Sequence, residues 1–147
     1  MKKFVFSMQK MRDYKKQILE SEKNTLLALR REKNELEEKM EQLEQTMLRL
    51  QRESNEEVAK GTTAARLMFY SMQMDGVKRE MTQIKYQINF AEMKIEKQIK
   101  KVVVQSQELS GLDKLEEQQR EEYRKLEAKE NETSIEEFIS FKMTSGE

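Results

Sequence analysis

Residues 26–50 read LLALRREKNELEEKMEQLEQTMLRL, and their spacing decides the class of fold. Leu26, Leu29, Leu36, Met40, Leu43, Met47 and Leu50 follow in alternating steps of three and four, with Lys33 filling one gap. A mean step of about 3.5 residues holds one apolar stripe on one side of a helix and turns it toward a partner helix. That is a heptad seam, and nearly every residue between its positions is charged or carries an amide.

The rest of the composition agrees. The chain has 147 residues, 38% charged and 36% hydrophobic, with no proline and four glycines. A compact domain carries about 45–50% apolar residues and about 5% proline. A stripe of two positions in seven needs only about 29%. Cysteine and histidine are absent, which removes the usual zinc sites, a disulfide framework and Ser–His or Cys–His nucleophile pairs. No cofactor is expected. The start, Met1 to Phe6, is basic and briefly apolar, and polar residues follow from Ser7. That stops it short of the roughly 7–15 apolar residues of a signal peptide and the roughly 20 of a membrane span. A cytoplasmic protein without direct membrane insertion is expected. Lys and Arg number 28, as do Asp and Glu, a balance that speaks against nucleic acid as a partner.

Upstream of the seam the face is broader: Phe4, Met8, Met11, Ile18 and Leu19 share it, and Lys15 interrupts. Downstream, Ser54, Asn55, Gly61, Thr62 and Thr63 cluster as turn formers, and Thr62 or Thr63 can cap a new helix. A second seam runs Tyr70, Met74, Val77, Met81, Ile84, Ile88, Ala91, Ile95, Val102, Leu109 and Leu112, with Gln98 and Gln105 at two inner positions. Leu115, Tyr123 and Leu126 extend it weakly. Gly76 and Gly111 lie inside it and read as tolerated or as mild bends, not as ends. Ser134 and Glu137 have capping-box spacing before Ile135, Phe138, Ile139 and Phe141. A short terminal helix or a continuous one fits equally. The expected layout is a single coiled-coil domain, 1–147: helix one over about 3–57, a turn over about 58–62, helix two over about 63–131, and a terminal helix over 135–142.

Charge decides how the helices pair. Residues 1–33 carry ten basic and four acidic residues, a net +6; residues 34–57 carry three and eight, a net −5. Residues 61–107 carry eight and four, a net +4; residues 108–147 carry six and twelve, a net −6. Folding back near residue 59 sets unlike blocks side by side, whereas parallel self-pairing sets like beside like. The fold expected is all-α: a long antiparallel two-helix coiled-coil hairpin, a monomer when free. Helix one would span ~80 Å. The pairing sets Met40 near Met81, Met8 near Leu112 and Lys15 across from Gln105, and helix two overhangs at the open end. Gln98 and Gln105 read as register devices.

Other features divide between functional and bland readings. Met68, Phe69 and Met72 stand off the seam near the turn; they either form a partner groove or pack against the returning end of helix one. The run Lys2, Lys3, Lys10, Arg12, Lys15 and Lys16 either meets an acidic surface or is a solvated face balancing the acidic end. Paired acids such as Glu37–Glu38, Glu116–Glu117 and Glu121–Glu122 point about 100° apart on a helix, so they solvate the surface and do no acid–base work. Ile135, Phe138, Ile139 and Phe141 form either an amphipathic foot or an unfolded tail.

The segment Gly61 to Tyr70, followed by Val77, resembles the hairpin tip of the FliJ family of flagellar export proteins. Phe4-x-Phe6 with Tyr14 is similar to that family's start. Leu115, Tyr123 and Ile135-Glu136-Glu137-Phe138-Ile139 are similar to its finish. The acidic tail and methionine-rich tip depart from members with a basic tail and more tip aromatics. The resemblance implies a fold like the central stalk of rotary ATPases and no catalytic residues. It implies a cytoplasmic component of the flagellar type III export apparatus, peripheral at the cell membrane. Its partners would be the hexameric export ATPase, the cytoplasmic domain of the export gate protein and export chaperones. The residues expected to meet partners are Arg66, Met68, Phe69, Tyr70 and Met72 at the tip, and Phe4, Phe6, Tyr123 and Phe138 at the open end. The rival reading is a structural spacer or homodimeric scaffold unrelated to export; a weaker one is a membrane-surface binder using the basic N-terminal helix.

Overall fold

A computed structural model describes residues 2–145. It consists of two helices, α1 (Gln9–Lys60, 52 residues) and α2 (Ala64–Thr144, 81 residues), packed as an all-α hairpin. The chain divides into two compact units: Glu22–Lys101, and Met1–Ser21 with Val102–Glu147.

In the Glu22–Lys101 unit the seam falls where the repeat puts it. Leu26, Leu29, Lys33, Leu36, Met40, Leu43 and Met47 are half-buried, Leu50 is buried, and their charged neighbours are exposed. On α2, Met74, Val77, Met81, Ile84, Ile88 and Ile95 are half-buried and Ala91 is buried. A two-helix pair covers each seam side chain from one side only, so most of the seam is half-buried. Gln98 is the buried polar residue of this unit. Its Nε2 donates to the backbone carbonyl of Glu22 at 2.9 Å and to the Glu22 carboxylate. A buried amide leaves a donor unpaired if the helices slip, and that penalty ties register to this one bond.

The turn lies two residues beyond the expected fold point, and this shifts the register. Lys60 ends α1, Gly61 takes φ +85° and donates its N–H to the Val58 carbonyl at 3.2 Å, and Ala64 opens α2. With the turn at residues 61–63 instead of 58–62, Lys15 and Lys33 meet α2 residues about one helical turn later, while the long Glu22 and Gln98 side chains still meet at the expected spacing. Lys15 therefore pairs with Glu108, not Gln105, and Lys33 pairs with Glu92 at 3.3 Å. The Gln105 Oε1 is buried without a partner, so the register role falls to Gln98. A side chain on Gly61 meets nothing within 4 Å, so Gly61→Ala loses only the glycine's freedom at positive φ. Its expected cost is about 1–2 kcal/mol, read as a lower midpoint in thermal unfolding.

In the second unit α1 starts at Gln9, not near residue 3. The reason is a change of period: Phe4 is half-buried, Val5 exposed and Phe6 buried, the alternation of an extended strand. Met11, expected on the inner face, is exposed, and half-buried Arg12 takes the seam position instead. It reaches Asp113 at 3.2 Å and Glu116, so the basic N-terminal block meets the acidic block of α2 as the charge count requires. The Arg12 hydrogen bond holds Glu116 below the usual carboxylate range, against the effect of burial. No break falls between residues 131 and 135: α2 continues to Thr144 because that stretch holds neither proline nor glycine. Described residues from Arg124 onward are all exposed.

Gly76 and Gly111 both lie within α2. A side chain at Gly76 would meet only the Arg79 Nη2, at 4.0 Å, and at Gly111 nothing. Each forgoes about 1 kcal/mol of helix stability relative to alanine with no steric need in this chain.

Candidate functional site

The turn is held by a cluster that the heptad pattern itself builds. Continuing the three-four alternation past Leu50 reaches Ser54 and then Glu57, so a carboxylate occupies the last seam position before the turn. Glu57 is half-buried there. Arg66 grips both its oxygens: Nε donates to Oε2 at 3.0 Å and Nη2 to Oε1. Thr62 Oγ1 donates to Oε2 at 3.2 Å and the Tyr70 hydroxyl to Oε1 at 3.4 Å. Thr63, not Thr62, caps α2: its Oγ1 accepts from the Arg66 N–H at 3.3 Å. Glycine, the two threonines, Arg66 and Tyr70 thus fix how α1 hands over to α2.

The electrostatics follow from this geometry. The Arg66 hydrogen bond, joined by those of Thr62 and Tyr70, holds Glu57 below the usual carboxylate range although burial opposes it. Burial first, and then the Glu57 charge, push the Tyr70 phenol up. A depressed carboxylate contributes stability above its ordinary pKa of about 4.3 and loses it as pH falls through the lower folded value. The tip is therefore expected to loosen below about pH 4, with faster amide exchange at residues 57–70. In Glu57→Gln the acid-dependent part of that change disappears.

Around this locked turn the remaining tip residues face outward. Met68, Phe69 and Met72 are 65%, 56% and 66% exposed, and the Phe69 ring meets Tyr70 edge-on at 6.0 Å. Of the five residues predicted at the tip, Arg66 and Tyr70 are engaged with Glu57, and Met68, Phe69 and Met72 are exposed. The alternative of packing against the returning end of α1 does not describe those three.

The four residues predicted at the open end divide in the same way. Phe6 is 6% exposed, with the Arg12 guanidinium 4.8 Å above its ring. Phe4 packs edge-on against Tyr123 at 5.6 Å, and Arg120 lies 4.5 Å over the Phe4 ring. The Tyr123 hydroxyl donates to the Lys2 carbonyl, and Gln119 Nε2 donates to Ser7 Oγ at 3.1 Å. Phe4 and Tyr123 tie the N-terminal segment onto α2, while Phe6 is buried beneath the Arg12 guanidinium of α1. Phe138 is exposed, with Lys142 stacked 5.3 Å over its ring.

Sequence reasoning missed Glu57, which the alternation past Leu50 could have found. It also missed the role of Arg12, whose seam position was hidden by taking Met11 as the inward residue. Among the described residues no helix is long and apolar enough to cross a membrane.

No curated protein and no solved structure matches the chain. The family described as flagellar FliJ protein matches over residues 4–144. That span holds both aromatic anchors, the glycine turn and α2 to its last residue, so the chain belongs to the flagellar FliJ family, a non-catalytic component of the flagellar export apparatus.

Proposed function

We propose that this protein is a cytoplasmic coupling subunit of flagellar export, linking the hexameric export ATPase to the cytoplasmic domain of the export gate protein and escorting export chaperones. The observation that carries the reading is the tip: a turn locked by Glu57, Arg66, Thr62 and Tyr70 beneath three exposed apolar side chains. Methionine and phenylalanine on a rigid support suit adaptable contacts with helical partners. The end that carries both termini meets the ATPase ring, as the stalk resemblance suggests. Its anchored aromatics support a fixed surface there, and Lys2, Lys3, Lys10 and Lys16 stay exposed on it. The mechanism is mechanical and electrostatic: buried Gln98 resists slippage of one helix along the other, and the ends present different chemistry.

The test is capture of the purified export ATPase, chaperones and gate domain by the intact chain, with ATPase hexamer formation and hydrolysis rate measured alongside. Binding with stimulated hydrolysis is expected. Replacing Met68, Phe69 and Met72 together by lysine should weaken capture of chaperone or gate domain at least tenfold while helicity stays unchanged. An intact chain that neither binds nor stimulates the ATPase overturns the coupling role.

A further inference from the structure

α2 carries a second three-four alternation on the side away from α1. In the Glu22–Lys101 unit it reads Phe69, Met72, Gly76, Arg79, Gln83, Tyr86, Phe90, Met93. Its five large apolar members are each more than half exposed. They form two clusters, Phe69 with Met72 and Tyr86 with Phe90 and Met93, on either side of Gly76, Arg79 and Gln83. A single hairpin has no use for this pattern, nor for a glycine at 76, where an added side chain would meet only the Arg79 Nη2 at 4.0 Å.

We propose that this back face of α2 pairs with the same face of a second copy, antiparallel, about a two-fold axis near Arg79 and Gln83. Antiparallel seams stack the two kinds of seam position against each other. One register then matches every layer: Phe69 against Met93 of the second copy, Met72 against Phe90, Gly76 against Tyr86 and Arg79 against Gln83. Each match occurs twice, as a two-fold interface demands. Gly76 acquires a reason, because its missing side chain makes room for the Tyr86 ring of the other copy. Arg79 also comes within reach of Glu80 of the other copy. A parallel pair is worse in each respect: it sets Arg79 against Arg79, and two glycines face each other across a hole.

Size sets the strength. Six side chains, with Met68 at the rim, offer roughly 600 Å² of exposed area per copy, or about 1,200 Å² in all, the lower bound for a specific interface. An interface of this size is weak and transient in class, and a reversible dimer with Kd on the order of 10 µM is the expected result. The free protein is a monomer when dilute and a dimer when concentrated, which narrows the expectation of a free monomer to the dilute range. Phe69 and Met72 also belong to the tip patch, so self-pairing and docking of another protein there exclude each other.

Sedimentation equilibrium of the full chain over a range bracketing that Kd tests the proposal. A reversible monomer–dimer equilibrium is expected, and a monomer at every concentration overturns it. Phe90→Lys, at an exposed position, should abolish the dimer with helicity intact; a dimer that survives it uses another face. Gly76→Ala should raise the melting temperature of dilute protein yet weaken the dimer several-fold, and an undiminished dimer overturns the register. The chain has no cysteine, so single cysteines report cleanly. A mixture of Arg79→Cys and Gln83→Cys chains should cross-link on mild oxidation more readily than either variant alone; like-with-like cross-linking instead means a parallel pair.

Discussion

Leu50→Ala is expected to lower the unfolding free energy by about 2–4 kcal/mol and the melting temperature by roughly 5–15 °C. Leu50 is 3% exposed, the most enclosed large side chain in a hairpin whose other seam residues are mostly half-buried. Truncation there removes three carbons from an enclosed site and leaves a void that the paired helices close only in part. Equivalent truncation at half-buried Leu36 or Leu43 should cost less, since water already reaches those positions. The measurement is denaturant unfolding of the three variants side by side. A loss at Leu50 no larger than at Leu36 would mean that enclosure near the turn contributes nothing beyond the common seam. Amide exchange gives a second readout, because the loss should concentrate in Glu22–Lys101, the unit that holds Leu50.

Phe6→Ala should cost about 3 kcal/mol at its own end of the molecule. Phe6 is buried in the extended segment, between the carbonyl that binds Tyr123 through Lys2 and the Ser7–Gln119 bond, and Arg12 covers its ring. Without it, the segment keeps the Phe4 contacts with Tyr123 and Arg120 and the exposed hydrogen bonds of Lys2 with Tyr123 and Ser7 with Gln119. Release of residues 2–8 is then expected, seen as fast amide exchange there and greater solvent access to Tyr123. Val5→Ala serves as the control, since Val5 points outward from the same segment. If the two variants behave alike, the segment is held by its backbone and not by the phenylalanine.

These two residues mark what a sequence can and cannot disclose here. Leu50 was legible because a heptad is a local rule: each seam position follows from the one before, whatever lies opposite. The charge blocks were legible for a similar reason, and they settled orientation without any contact being known. Phe6 was legible only in part. Its alternation with Phe4 spans three residues, too short to distinguish an extended segment from the first turn of a helix until the fold shows Phe6 buried and Phe4 packed against Tyr123. At the tip, Met68, Phe69 and Met72 stood off the repeat and are exposed as that position implies, whereas Arg66 and Tyr70 pair with a carboxylate nine and thirteen residues upstream.

By itself, then, the sequence determined an α-helical hairpin with unlike charge blocks paired, because helical period and net charge accumulate along one chain. Tertiary structure alone decided the register. A turn displaced by two residues moves the partners of Lys15 and Lys33 by about one helical turn, and no local rule locates a turn that closely when two threonines follow one glycine. That displacement is why Lys15 meets Glu108 and why Glu57 arrives where Arg66 and Tyr70 can hold it.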